Sequence, residues 1–195
     1  FQRIPYFGFY AIPILAELGL PTYGHSALPL PPKFGITFDD LLVNHYQFPK
    51  SGNGRIKQIE KFKFGYLSTA DTHPALENLR SIRTEIVKRP MLATLEKILM
   101  PLQAESKNYL ATTYFHRGYE VSLTEIGKLS EFDRVIVGNG MEGTTLFGVH
   151  KEAKIFIQNR DSEAQPRTLK FSEMYQEETA KQIIESHEAL KEIES

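Results

Sequence analysis

The alternation of elements in the second half of the chain limits its fold more than any other feature. Asn108 to Phe115 has the aromatic and β-branched content of a strand, Val121 to Leu129 repeats at helical spacing, and Arg134 to Val137 is again a strand, ending in Gly138-Asn139-Gly140. Ala153 to Gln158 and Arg167 to Phe171 read as further strands, and Ser172 caps a last helix to about Ile193. Strand, helix and strand in succession predict an α/β fold with a mainly parallel central sheet flanked by helices.

The first half is less regular. Tyr6 to Leu18 reads as a helix with Ile12, Leu15, Ala16 and Leu18 on its apolar face, Pro13 inside it and Gly19 as its stop. Leu20 to Tyr23 is a short strand and Gly24 to Phe34 a proline-bearing loop. Thr37 caps a helix through Asn44, with Asp39 and Asp40 in the first turn. Residues 47–54 are a loop, Arg55 to Lys61 a helical turn, and Phe64 to Ser68 a strand. Pro74 opens a helix carrying Leu76, Leu79, Ile82, Arg83 and Ile86, and another runs from Pro90 to Leu99.

With 195 residues the chain is one domain, or one large piece of one. Without cysteine it has no disulfide, no thiolate zinc site and no iron–sulfur cluster, which suits a reducing, cytoplasmic compartment. No apolar run reaches the roughly 18–20 residues of a membrane helix. The opening Phe1-Gln2-Arg3-Ile4-Pro5 lacks both a Met and the pattern of a signal peptide, so the chain reads as a fragment or a processed product. Charge is uneven. Residues 50–97 hold ten Lys/Arg against five Asp/Glu, and residues 171–195 hold two Lys against seven Glu. A basic surface for phosphates or nucleic acid gives this pattern, and so do two ordinary solvated faces.

In open α/β sheets ligands sit beyond the carboxyl ends of the strands. Three segments qualify. The loop after Tyr23 holds His25 and Lys33, suited to an anion or to solvent. Tyr114-Phe115-His116-Arg117-Gly118-Tyr119 places His116 and Arg117 before a helix, to meet a phosphate or carboxylate or to cap the helix. Gly138-Asn139-Gly140-Met141-Glu142-Gly143 offers glycines for close approach to a phosphate and, in Glu142, one hard oxygen ligand for Mg²⁺, although such turns also serve to close tight connections. Phe62 and Phe64 interleave with Lys61 and Lys63, as in single-stranded nucleic-acid binding or in an amphipathic strand. His187 reads as a packed residue of the last helix, and no two histidines have metal-ligand spacing.

Taken in order, these segments resemble the large domain of the anthranilate phosphoribosyltransferase-like family of glycosyltransferases, and a divergent subgroup of it in particular. The resemblance rests on Arg3-Ile4-Pro5-Tyr6-Phe7, Leu20-Pro21-Thr22 with His25, Pro32-Lys33-Phe34-Gly35, His73-Pro74-Ala75 through Arg83, Arg89-Pro90-Met91-Leu92-Ala93-Thr94-Leu95-Glu96-Lys97, Tyr114-Phe115-His116 with Tyr119, and Gly140-Met141-Glu142-Gly143. It covers nearly the whole chain. It implies a truncated α/β large domain, with the helical dimer-forming domain and the glycine-rich pyrophosphate loop lying upstream of Phe1, and a homodimeric full-length protein. It implies phosphoribosyl transfer from phosphoribosyl pyrophosphate to a small aromatic acceptor with Mg²⁺, as in tryptophan synthesis. Arg83 then stands where the acceptor carboxylate is held, a role that suits a guanidinium, with His25 and Lys33 bordering the cleft.

The sequence also departs from the family. The His-Gly-Asn-Arg turn reads His25-Ser26-Ala27-Leu28, the Asp-Glu metal pair reads Glu142-Gly143, and the Gly-Pro-Leu loop of the acceptor channel reads Glu96-Lys97-Ile98. Each change weakens the charge stabilisation that such a transfer needs. The expectation is a transferase-family domain that is weak or inactive. The alternatives are a nucleic-acid-binding relative using residues 50–97, and a structural or partner-binding role.

Overall fold

The computed structural model describes residues 7–31, 36–46, 52–87, 91–140, 147 and 152–170. Lys33, Glu142 and the helix expected after Ser172 lie outside these residues, as do Lys50, Lys88, Arg89, His150 and His187. The chain divides into two compact units, Phe1–Ser106 and Lys107–Ser195.

In the first unit, helix α1 (Phe7–Glu17) contains Pro13. It ends where Gly19 adopts φ +85°. The Gly19 N–H then reaches the Ala16 carbonyl and the Leu20 N–H the Leu15 carbonyl, both at 2.9 Å, so two otherwise orphaned helix-end carbonyls are satisfied. Strand β1 (Thr22–Ser26) follows, then the short helix α2 (Phe38–Asp40), whose N-cap is Thr37 in a reciprocal capping box with Asp40. A π-helical segment, Leu41–His45, continues it. Helix α3 (Gly52–Phe62) leads through Lys63, held at φ +63°, into strand β2 (Phe64–Ser68). β1 and β2 pair in parallel, Thr22 opposite Phe64 through Ser26 opposite Ser68.

The core of this unit is aromatic. Phe9, Ile12, Leu42 and Tyr66 are buried together, with Phe38, Leu41 and Phe64 packed against them. Phe9 and Tyr66 stack with ring centroids 4.1 Å apart, and the Tyr66 hydroxyl donates to the Phe9 carbonyl. Burying such side chains stabilises the fold by about 1.5–3 kcal/mol each. A buried ion pair joins Arg55 of α3 to Asp39 of α2, and the Asp39 N–H donates to Ser26 Oγ at 3.1 Å. Four short helices follow: α4 (Thr69–Thr72), α5 (Pro74–Glu77), α6 (Arg80–Ile86) and α7 (Leu92–Leu95), the last continued by a 3-10 turn, Glu96–Ile98. The single helix expected from Pro74 to Ile86 is broken at Asn78 and Leu79. Asn is a poor helix former because its side chain competes for backbone groups.

In the second unit, strand β3 (Tyr109–Tyr114), helix α8 (Tyr119–Leu129) and strand β4 (Arg134–Asn139) form the expected strand–helix–strand unit, with β3 and β4 parallel. Strands β5 (Ala153–Asn159) and β6 (Gln165–Leu169) add antiparallel, in the order β3-β4-β5-β6. Leu110, Leu123, Val135, Val137 and Ala153 are buried.

The fold is broadly α/β, and among the described residues helices accompany a two-stranded parallel sheet and a four-stranded mixed sheet. Chain length explains part of this. Only residues 160–164 connect β5 to β6. A parallel return needs a crossover of roughly a dozen residues or more, so that step must be antiparallel. Among the described residues, no helix is long and apolar enough to cross a membrane.

Candidate functional site

The segments expected to carry chemistry fall at the carboxyl ends of parallel strands, β1–β2 in the first unit and β3–β4 in the second. In β1, alternate residues face opposite sides. Gly24 faces the aromatic core so closely that a Cβ there would lie 2.7 Å from Ile12 Cδ1. Tyr23 and His25 face the other way and hold the segment after α7. The Tyr23 hydroxyl donates to the Leu102 carbonyl at 2.9 Å and accepts from the Leu102 N–H at 3.3 Å. His25 Nε2 contacts the Glu96 carbonyl at 2.8 Å, which makes it the protonated, donating nitrogen. His25 thus belongs to the strand rather than to the loop after it; the Gly-His-Ser run hid its strand character.

Fixed by these contacts, Glu96 turns its carboxylate onto Arg83 of α6. Arg83 Nη1 donates to Oε1 at 2.5 Å and Nη2 to Oε2 at 3.1 Å, a two-pronged pair between side chains exposed only 6% and 13%. Arg83 Nε and Thr69 Oγ1 are buried with no hydrogen-bond partner among the described residues. Arg80, one turn before Arg83, pairs with Glu77 and donates to the Pro29 carbonyl at 3.0 Å. Burial, the largest influence, holds the His25 pKa below the ordinary histidine value of 6.5, and the neighbouring His73 adds to this; the hydrogen bond to the Glu96 carbonyl and the Glu96 charge oppose it. His73 sits between α4 and α5 with Nδ1 3.0 Å from Thr72 Oγ1. The structure thus brings His25 and Arg83 together through Glu96, a residue the sequence marked only as a departure from the family loop.

At the end of β3, His116 is exposed, with its ring 5.1 Å from Phe115 and 6.3 Å from Tyr119. The start of α8 is met by the protein's own acid. Gly118 lies at φ +92°, and its N–H donates to Glu120 Oε2 at 2.8 Å. At the end of β4, Gly138 and Asn139 continue the strand rather than forming a turn. A Cβ on Gly138 would lie 2.2 Å from Phe147 Cε1, so the ring of Phe147 occupies that space. The Gly140 N–H donates to the Tyr114 carbonyl at 2.9 Å.

Much of the basic segment is neutralised internally. Arg55, Arg80 and Arg83 pair with Asp39, Glu77 and Glu96, while Lys57, Lys61 and Lys63 are exposed. Lys61 Nζ sits 5.0 Å from the Phe62 ring centroid. Among the described residues, no group of three or more His, Asp or Glu side chains could hold a metal ion. No protein-family model matches the chain, and no curated protein matches it.

Proposed function

We propose that this chain is the α/β part of an anthranilate phosphoribosyltransferase-like protein whose acceptor position is filled by its own Glu96, leaving the fold without the transfer activity. The observation that carries the reading is the two-pronged Arg83–Glu96 pair. By resemblance, Arg83 is the residue that would hold the acceptor carboxylate. Glu96 lies in the stretch that replaces the family's Gly-Pro-Leu channel loop, so an internal carboxylate meets the arginine a substrate carboxylate would meet. Glu96 occupies the Nη1/Nη2 edge of the guanidinium, and an acid competing for that edge would have to displace a covalently tethered rival. His25 and Tyr23 keep the rival in place by fixing the backbone on which it sits.

Phosphoribosyl pyrophosphate, Mg²⁺ and an aromatic acid remain the ligands to try, since the resemblance names them. The test is transfer to anthranilate by the chain and by Glu96→Gly, with phosphoribosyl pyrophosphate and Mg²⁺ supplied. The expectation is no turnover by the native chain, and anthranilate binding only by the variant. Turnover by the native chain would overturn the reading. The alternative is a nucleic-acid-binding relative using residues 50–97; among the described residues, Lys57, Lys61 and Lys63 are exposed there, while Arg55, Arg80 and Arg83 are bound to internal carboxylates.

A further inference from the structure

A polar cleft of about 480 Å³ lies wholly within the second unit, at the amino ends of β3 and β4 and so at the opposite end of the sheet from Gly138 and Gly140. Its lining includes Lys107, Tyr109, Asp133, Arg134, Asn159 and Asp161. We propose that this cleft binds a small phosphate monoester on a hydroxylated carrier, with Arg134 and Lys107 taking the phosphate and Asp161 a neighbouring hydroxyl. The proposal does not depend on the transferase reading.

The argument begins with register. Tyr109, Arg134 and Asn159 are partners across three adjacent strands, so they form one lateral row on the sheet. Arg134, the middle member, is held from both sides. Its guanidinium carbon lies 5.8 Å from the Tyr109 ring centroid, and its Nε donates to Asn159 Oδ1 at 2.8 Å. These contacts leave Nη1 and Nη2, the fork that grips an oxyanion, without a partner among the described residues. An arginine fixed before the ligand arrives loses less side-chain freedom on binding.

The remaining charges sort themselves. Asp133 accepts the Asn108 N–H at 2.8 Å and lies 3.9 Å from Arg160, whose guanidinium also donates to the Glu131 carbonyl. Asp133 and Arg160 are thus partly occupied by the cleft wall. The turn itself is tied down by Ser162 Oγ, which accepts the Asn159 N–H at 3.3 Å. Lys107 and Asp161 have no partner among the described residues. Two uncommitted cations match a phosphate monoester, which carries roughly 1.5 to 2 negative charges near neutral pH. A carboxylate would use only one of them. Asp161, acting as an acceptor, favours a ligand that presents a hydroxyl and opposes a second phosphate.

The test is an amide chemical-shift titration of the whole chain with glycerol phosphate, inorganic phosphate and acetate. Saturable shifts are expected at residues 107–109, 133–134 and 159–162, with glycerol phosphate binding tighter than inorganic phosphate and acetate weakest. Arg134→Gln and Lys107→Gln should each weaken binding about tenfold or more. Asp161→Asn should abolish the preference for glycerol phosphate over inorganic phosphate, and Lys154→Gln, outside the cleft, should change nothing. The substituted cleft side chains are exposed, and unchanged spectra elsewhere report that the fold is intact. Absence of saturable shifts, acetate binding as well as the phosphates, or native affinity in both cation variants would overturn the proposal.

Discussion

Arg83 and Glu96, thirteen residues apart, meet through both prongs of the guanidinium with little exposure to water. Removing one member of such a pair leaves the other charged and unpaired. Glu96→Ala should therefore destabilise the first unit by about 3–5 kcal/mol, whereas Arg83→Met combined with Glu96→Leu should restore most of that loss. Urea denaturation of the single and double variants measures the difference.

Protonation of His25 links stability to pH. Its pKa is lowered in the folded chain, mainly by burial, so the unfolded chain takes up the proton first as pH falls. The stabilising contribution is complete above about pH 6.5, the unfolded value, and is lost as pH falls toward the folded value. Stability measured from pH 7 down to about pH 5 should drop, and His25→Asn should flatten that part of the profile.

Gly138 shows why a glycine in a strand can signal packing as well as ligand approach. Gly138→Ala places a methyl group against the Phe147 ring and should cost about 1–3 kcal/mol. Adding Phe147→Leu should recover part of this, as thermal unfolding of the two variants would show.

Glu120 serves the exposed start of α8, where Gly118 supplies no side chain to cap the helix. Glu120→Ala should cost about 0.5–1 kcal/mol and speed amide exchange at residues 118–121, with little effect on β5 or β6.

The sequence disclosed the long, periodic elements well. The β3–α8–β4 unit lies within two residues of where spacing put it, because β-branched strands and an eleven-residue helix carry strong periodic signals. Strand β2 lies where it was expected. Strand β1 was displaced toward its carboxyl end, because Gly24, His25 and Ser26 have weak strand propensity and are held by pairing with β2. The antiparallel additions β5 and β6 were legible as strands but not in direction, which depends on connection length and pairing rather than on composition. In the site, His25 was named from its position after a strand, and Arg83 from the family resemblance. Glu96 could not be paired with Arg83, because thirteen residues and three helix ends separate them and no local periodicity joins them.

The most direct test of the central claim is chemical rescue of Glu96→Gly by an added aromatic carboxylate, followed as thermal unfolding at rising anthranilate concentration. If Glu96 occupies an acceptor-carboxylate position on Arg83, anthranilate should raise the unfolding temperature of the variant saturably by ligand linkage. The native chain and Arg83→Met should not respond. Equal stabilisation of the native chain, or none in Glu96→Gly, would contradict the account.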